Sequence, residues 1–143
     1  MTRDIHHKWF LPHSPDKVWQ YLTEPQLLAQ WLMENDFKPI VGHSFQFRTK
    51  PIVKFGFDGI VNCEVLEVVP KKRLSYTWKG GSGGKVSLDS KVTWTLTPKD
   101  GGTELLLAHT GFKGLKNFFA SIAMQSGWSK IANRMKDLMH ARP

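Results

Sequence analysis

The sequence predicts an α+β domain: one antiparallel sheet of about six or seven strands, two short helices after the first strand, and a long C-terminal helix. Three observations carry this. Apolar spacing turns from helical to alternating near residue 43 and becomes helical again after about residue 114. The alternating segment is punctuated by KGGSGGK at 79–85 and PKDGG at 98–102, which supply the positive-φ residues that tight hairpins need. Ahead of it, SPDKVWQYLTEPQLLAQWL at 14–32 holds two apolar stripes separated by a proline.

Residues 5–12, rich in aromatic and branched side chains and ended by Pro12 and Pro15, read as the first strand. Ser14 stands as an N-cap, Pro15 takes the first helical position and Asp16 the first turn, and Val18, Trp19 and Leu22 follow at helical spacing. A new helix begins at Pro25, with Leu27, Leu28, Trp31 and Leu32 on one side.

Beyond residue 43, Phe45 and Phe47 alternate with Gln46 and Arg48, and Leu74, Tyr76 and Trp78 with Ser75 and Thr77. In 86–96 the even positions Val86, Leu88, Ser90, Val92, Trp94 and Leu96 oppose a polar odd set, so the sheet is covered on one face only. Within 57–69 the apolar parity switches after Val65, which predicts a bulge or bend there that curls the sheet. Leu115, Phe118, Phe119 and Ile122 are out of phase with Met124, Trp128, Ile131, Met135 and Leu138. That mismatch predicts a main helix over about 124–140, facing the sheet through Trp128, Ile131, Met135 and Leu138, preceded by a shorter, differently oriented segment at 115–122.

The 143 residues suit one domain over 1–143, large enough to bury a substantial core. The opening MTRDIHHKWF lacks the apolar run of a signal peptide, and no stretch of about 18 apolar residues offers a membrane span, so a cytoplasmic location is expected. The one cysteine, Cys63, reads as a buried thiol. A net charge of +8 raises nucleic acid, anionic lipid or an acidic protein as partners. The charges are dispersed, and the densest run, Lys71–Arg73, follows Pro70 as a hairpin tip would; specific nucleic-acid binding is not expected.

Metal and cofactor chemistry find no support. His6 and His7 point to opposite faces of a strand and lack a CxxC, HxxxH or carboxylate cluster. KGGSGGK lacks the order of a phosphate-binding loop, and no nucleophile signature is present. His109 shares strand parity with Leu105 and Leu107, so it either orients a ligand, acts as acid or base, or is a core histidine bonded to nearby backbone. Tyr76, between Leu74 and Trp78 on the same face, is a second polar hook in apolar surroundings.

The element order resembles the helix-grip fold, START-like and Bet v-like, in which a curved sheet wraps the last helix and leaves a cavity. SPDKVWQYLTEPQLLAQW, VLEVVPKKRLSYTW, GGTELLLAHTGF and the late GW make the chain similar, over about residues 5–140, to the family named for the activator of the heat-shock-protein-ninety ATPase. One departure is Gly42 followed by His43, where many members carry paired glycines. The resemblance implies a hydrophobic-ligand or protein-binding domain and no shared catalytic residue. The helices at 15–32 would then close one end of the cavity.

The leading expectation is a non-catalytic module, without cofactor, binding a small hydrophobic or aromatic molecule between sheet and helix. Its candidate site comprises Trp31, Phe45, Phe47, Tyr76, Trp78, Trp94, Leu107, His109, Phe112, Trp128, Ile131 and Met135. The alternatives are a chaperone-cofactor-like domain docking an acidic protein, and a cyclase- or hydrolase-type enzyme using His109.

Overall fold

A computed structural model describes residues 4–52, 57–82, 85–112 and 114–141, with the side chains of 82–87 and 114–123 outside the description. Strand β1 (Ile5–Leu11) leads into α1 (Pro15–Thr23) and α2 (Pro25–Trp31). Then come β2 (Glu34–Asn35), β3 (Ser44–Arg48), β4 (Ile60–Val69), β5 (Arg73–Ser82), β6 (Lys85–Lys99), β7 (Gly102–Thr110) and α3 (Gly114–Ala141). The seven strands form one sheet in the order β1-β7-β6-β5-β4-β3-β2, antiparallel throughout. The first strand therefore closes against the last, and the sheet curls around α3.

The N-terminal signals act as the sequence implies. Ser14 is the N-cap of α1, its Oγ accepting from Lys17 N at 3.2 Å, with Pro15 at the first helical position. The parity of β1, ambiguous in sequence, resolves with Ile5, His7, Trp9 and Leu11 on the covered side. At the β6–β7 hairpin Lys99 pairs with Gly102, leaving Asp100 and Gly101 as a two-residue turn with φ of 49° and 77°. Both angles suit a type I′ connection, which twists with its strands. Lys71–Arg73 is the expected tip between β4 and β5.

The parity switch in β4 is a real irregularity. Val65 pairs with Tyr76 but Glu67 with Ser75, so one residue is inserted and Leu66 is turned out to 39% exposure. Such an insertion bends its strand and strengthens the local twist.

Strand β2 was not anticipated: it is only two residues long, and Asn35 holds it, donating to Met33 O and Pro25 O while accepting from Phe37 N. The C-terminal helix is a single element from residue 114 to 141, not two segments. Gly127 does not break it, because one glycine costs a helix interior only about 1 kcal/mol and many neighbouring backbone bonds remain. Out-of-phase stripes need no break either, since a long helix can present different faces along its length. The face expected at Leu115, Phe118, Phe119 and Ile122 lies outside the described side chains.

Over its described half, α3 buries Trp128, Ala132, Met135 and Met139 fully, with Met124, Ile131 and Leu138 packed at the margins. The central stripe thus runs through Ala132 and Met139 rather than Ile131 and Leu138. A small residue at 132 lets helix and sheet approach closely. Met135→Ala should therefore lower stability by about 2–5 kcal/mol. Ile131→Ala should cost less and the exposed Lys130→Ala almost nothing, an order that urea midpoints will check.

Candidate functional site

Alternation in β3, β5, β6 and β7 brings one residue in two to the covered face, and the aromatic ones meet there. Trp78 and Trp128 have ring centroids 5.3 Å apart, and Trp128 and Trp94 lie 5.6 Å apart at 84°. Trp31 closes on Trp94 edge-on at 6.0 Å, while Phe47 packs on Trp78 at 5.4 Å and on Phe45 at 5.3 Å. Edge-to-face and tilted contacts of this kind place ring hydrogens against π faces, adding to what area burial contributes. Eleven of the twelve sequence-predicted residues are buried, and Ile131 is half-buried against the same cluster.

His109 is fully buried in this face, its ring 4.6 Å from that of Phe112 and tilted 58° to it. Phe112 reaches it because Gly111 turns the chain out of β7 with φ of 98°, a conformation that disfavours a side chain. Two bonds determine the imidazole's tautomer. Indole nitrogen can only donate, so Trp128 Nε1–H gives its hydrogen to His109 Nδ1 at 3.0 Å, which leaves the ring proton on Nε2. His109 Nε2–H donates in turn to Ser90 Oγ at 2.8 Å, and the Ser90 hydroxyl donates to Trp78 O at 2.8 Å. The chain of bonds ends on a backbone carbonyl with every hydrogen placed.

This arrangement decides the chemistry of a Ser–His pair that would otherwise resemble a nucleophile and its base. A base must present a bare nitrogen to the hydroxyl; here that nitrogen carries the proton and Ser90 points its own hydrogen elsewhere. Burial pushes the His109 pKa down to about 3, so the imidazole is neutral. The sequence alternative of a backbone-bonded core histidine is right in kind, but the partners are Ser90 and Trp128 side chains.

Tyr76 is different. Its hydroxyl oxygen accepts from Trp94 Nε1–H at 3.0 Å, yet among the described residues nothing accepts its own hydrogen. Its ring lies 5.4 Å from Phe45, 6.0 Å from Phe47 and 6.3 Å from Phe37, and burial raises its pKa, keeping the phenol protonated. Cys63 is buried, and its thiol pKa is likewise raised by burial first and by Asp36 second. It is an inert thiol.

Phe37 and Ser90 were not singled out from sequence as site residues. Ser90 was legible, since its parity is that of Val92 and Trp94; Phe37 had no signal, lying beyond α2 outside any periodic run. Among the described residues no group of three metal-ligating side chains forms. An open cleft of about 460 Å³ lies across the outer side of β3, β4 and β5, lined by polar groups including Asp36, Gln46, Asn62, Glu64 and Lys79. Gln46 there donates to Asn62 and receives Arg48, so these amides satisfy one another.

Comparison with known proteins follows the fold. The profile of the family described as Activator of Hsp90 ATPase homolog 1-like protein matches residues 12–140. Protein MLL2253 from Mesorhizobium loti superimposes with a TM-score of 0.88 at 36% sequence identity, over 99% of each chain. The Aha1 dimer from Colwellia psychrerythraea gives a TM-score of 0.75 at 20% identity, over 94% of each chain. CalU16 from Micromonospora echinospora gives 0.75 at 21%, over 99% of this chain and 77% of that one. The last two are likenesses of fold. A comparison with curated proteins finds no match.

The hydrogen-bond chain has a measurable signature. Side-chain NMR should show His109 as the Nε2–H tautomer, unchanged between about pH 7 and about pH 5. Because its folded pKa lies below the unfolded value of 6.5, its contribution to stability is full above 6.5 and is lost as pH falls toward about 3. Each unit in that window should cost up to about 1.4 kcal/mol. Trp128→Phe, which orphans Nδ1, should destabilise by about 1–3 kcal/mol in urea titrations beyond the small loss of contact.

Proposed function

Since the chain belongs to the family of Activator of Hsp90 ATPase homolog 1-like proteins, we propose that it is a non-catalytic binding domain for a small hydrophobic or aromatic molecule. The ligand lies between the sheet and α3, against Tyr76 and its aromatic neighbours. The observation that carries this reading is the Tyr76 hydroxyl hydrogen, buried and without an acceptor among the described residues. A buried donor left unpaired costs about 1–3 kcal/mol, which a carbonyl, ether or phenol oxygen of a ligand would recover. Apolar walls with few polar hooks are the usual composition of such sites.

With both its nitrogens already engaged, His109 offers a ligand no free donor or acceptor, which favours Tyr76 over it as the hook. Its bonds also argue against the hydrolase or cyclase alternative, which needs an imidazole with a free lone pair. Trp78 and Trp94 both pack on Trp128, so a ligand reaching them displaces rings and alters tryptophan emission.

A second reading, docking of an acidic protein, draws on another part of the surface. Ile40 and Val41 are 59% and 62% exposed, two and three residues beyond Lys38, on a chain of net charge +8. Native mass spectrometry of the freshly purified protein separates the two readings, since a small-molecule adduct supports the first and a protein adduct the second. For a ligand so identified, Tyr76→Phe should weaken binding by about 0.5–1.5 kcal/mol, the net scale of one hydrogen bond. His109→Phe should show no comparable specific loss; equal affinity of wild type and Tyr76→Phe would reject the role assigned to the phenol.

A further inference from the structure

The junction between α1 and the last turn of α3 gathers three basic side chains around one unsatisfied nitrogen. Lys17 Nζ donates to Met139 O at 2.8 Å, which caps a carbonyl that the helix end leaves open. The rings of His13 and His140 lie 5.2 Å apart at 48°. His13 O accepts from Thr103 Oγ1 at 2.8 Å, tying the β1–α1 turn to β7, while His13 Nε2 is enclosed and has no hydrogen-bond partner among the described residues. Buried orphan nitrogens are rare in folded proteins and ask for an explanation.

The surroundings of His13 are cationic. Lys17 on α1 and His140 on α3 are the charged or titratable groups acting on it, and β7 presents the neutral Thr103. The nearby acid, Asp16, is turned to Lys71 at 3.0 Å. Desolvation first, then Lys17 and His140, lower the His13 pKa from its ordinary 6.5. A proton on the ring would therefore be both enclosed and repelled.

We propose that this junction is an acid-released latch, closed while His13 is neutral and opened when a proton on its enclosed ring sets a second positive charge beside Lys17. The sign follows from linkage. The folded state disfavours the proton relative to the unfolded one, so the contribution of His13 is complete above about pH 6.5 and falls as the solution is acidified. Opening undoes the Lys17 bond to Met139 and frees the end of α3 from α1, next to the buried Met139. The latch is independent of any ligand and concerns the junction between α1 and the end of α3.

Amide hydrogen exchange, corrected for intrinsic rates, tests it on the full chain. Between about pH 7.5 and about pH 5.5, protection at Met139 to Ala141 should fall several-fold, with about tenfold the ceiling for one proton, relative to the amides of β6. The double variant His13→Gln, His140→Gln should abolish that extra loss. An unchanged wild-type profile, or the same loss in the double variant, overturns the proposal. If the double variant does not fold, NMR titration of His13 in the wild type decides: a pKa well below 6.5 supports the latch, and one at or above 6.5 rejects it.

Discussion

The bond from Trp128 to His109 joins the helix to the sheet, and much of the interior is arranged around it. A buried indole N–H needs an acceptor, and the face of a sheet offers few because its carbonyls are spent on the ladder. An imidazole on β7 supplies one, Ser90 on β6 receives the proton that the imidazole then carries, and Trp78 O on β5 ends the chain. Three adjacent strands and the helix are thereby held in one register by directional contacts. The surrounding tryptophans contribute dispersion and area, which alone would tolerate sliding. A satisfied polar network in such a core discriminates between packings more than it adds to total stability.

The end of the fold near α1 and α2 is held by contacts of another kind. Trp31 is fully buried, touches Trp94, and donates from Nε1 to Tyr21 O at 2.8 Å, which locks the second helix onto the first. Lys17 and Arg134 each reach a backbone carbonyl across the α1–α3 and α2–α3 junctions. These cationic bonds to helix-end carbonyls suit the dipole but lie near the surface, where water competes. The interior is thus held by neutral, enclosed bonds and the rim by charged, hydrated ones. The rim is the part expected to respond to conditions.

For function, the contrast between His109 and Tyr76 matters most. Both share strand parity with large apolar residues, and both looked alike as hooks. Among the described residues, the bonds of His109 are complete and the hydroxyl hydrogen of Tyr76 has no acceptor. A group whose hydrogen bonds are complete has little to offer a ligand, whereas an unpaired donor in an apolar wall selects for an acceptor. Among the described residues no helix is long and apolar enough to cross a membrane, and family membership is compatible with either a small molecule or a protein as the partner.

Periodicity, capping and turn chemistry are local, and what depends on them was legible in the sequence. The Ser14 cap, the Pro25 restart, the Asp100–Gly101 turn, the parity of β3, β5, β6 and β7 and the bulge after Val65 all follow from residues a few positions apart. Strand β2 and Phe37 were not legible, because a two-residue strand has no period and is held by the side chain of Asn35. Nor was the continuity of α3, since an apolar stripe that changes phase reads equally as a broken helix or as one helix with changing neighbours. The partners of His109 were beyond reach for a stronger reason. Ser90 and Trp128 each stand nineteen residues from it in sequence. Which nitrogen holds the proton depends on an indole brought across the sheet by α3, and only the tertiary structure makes that encounter.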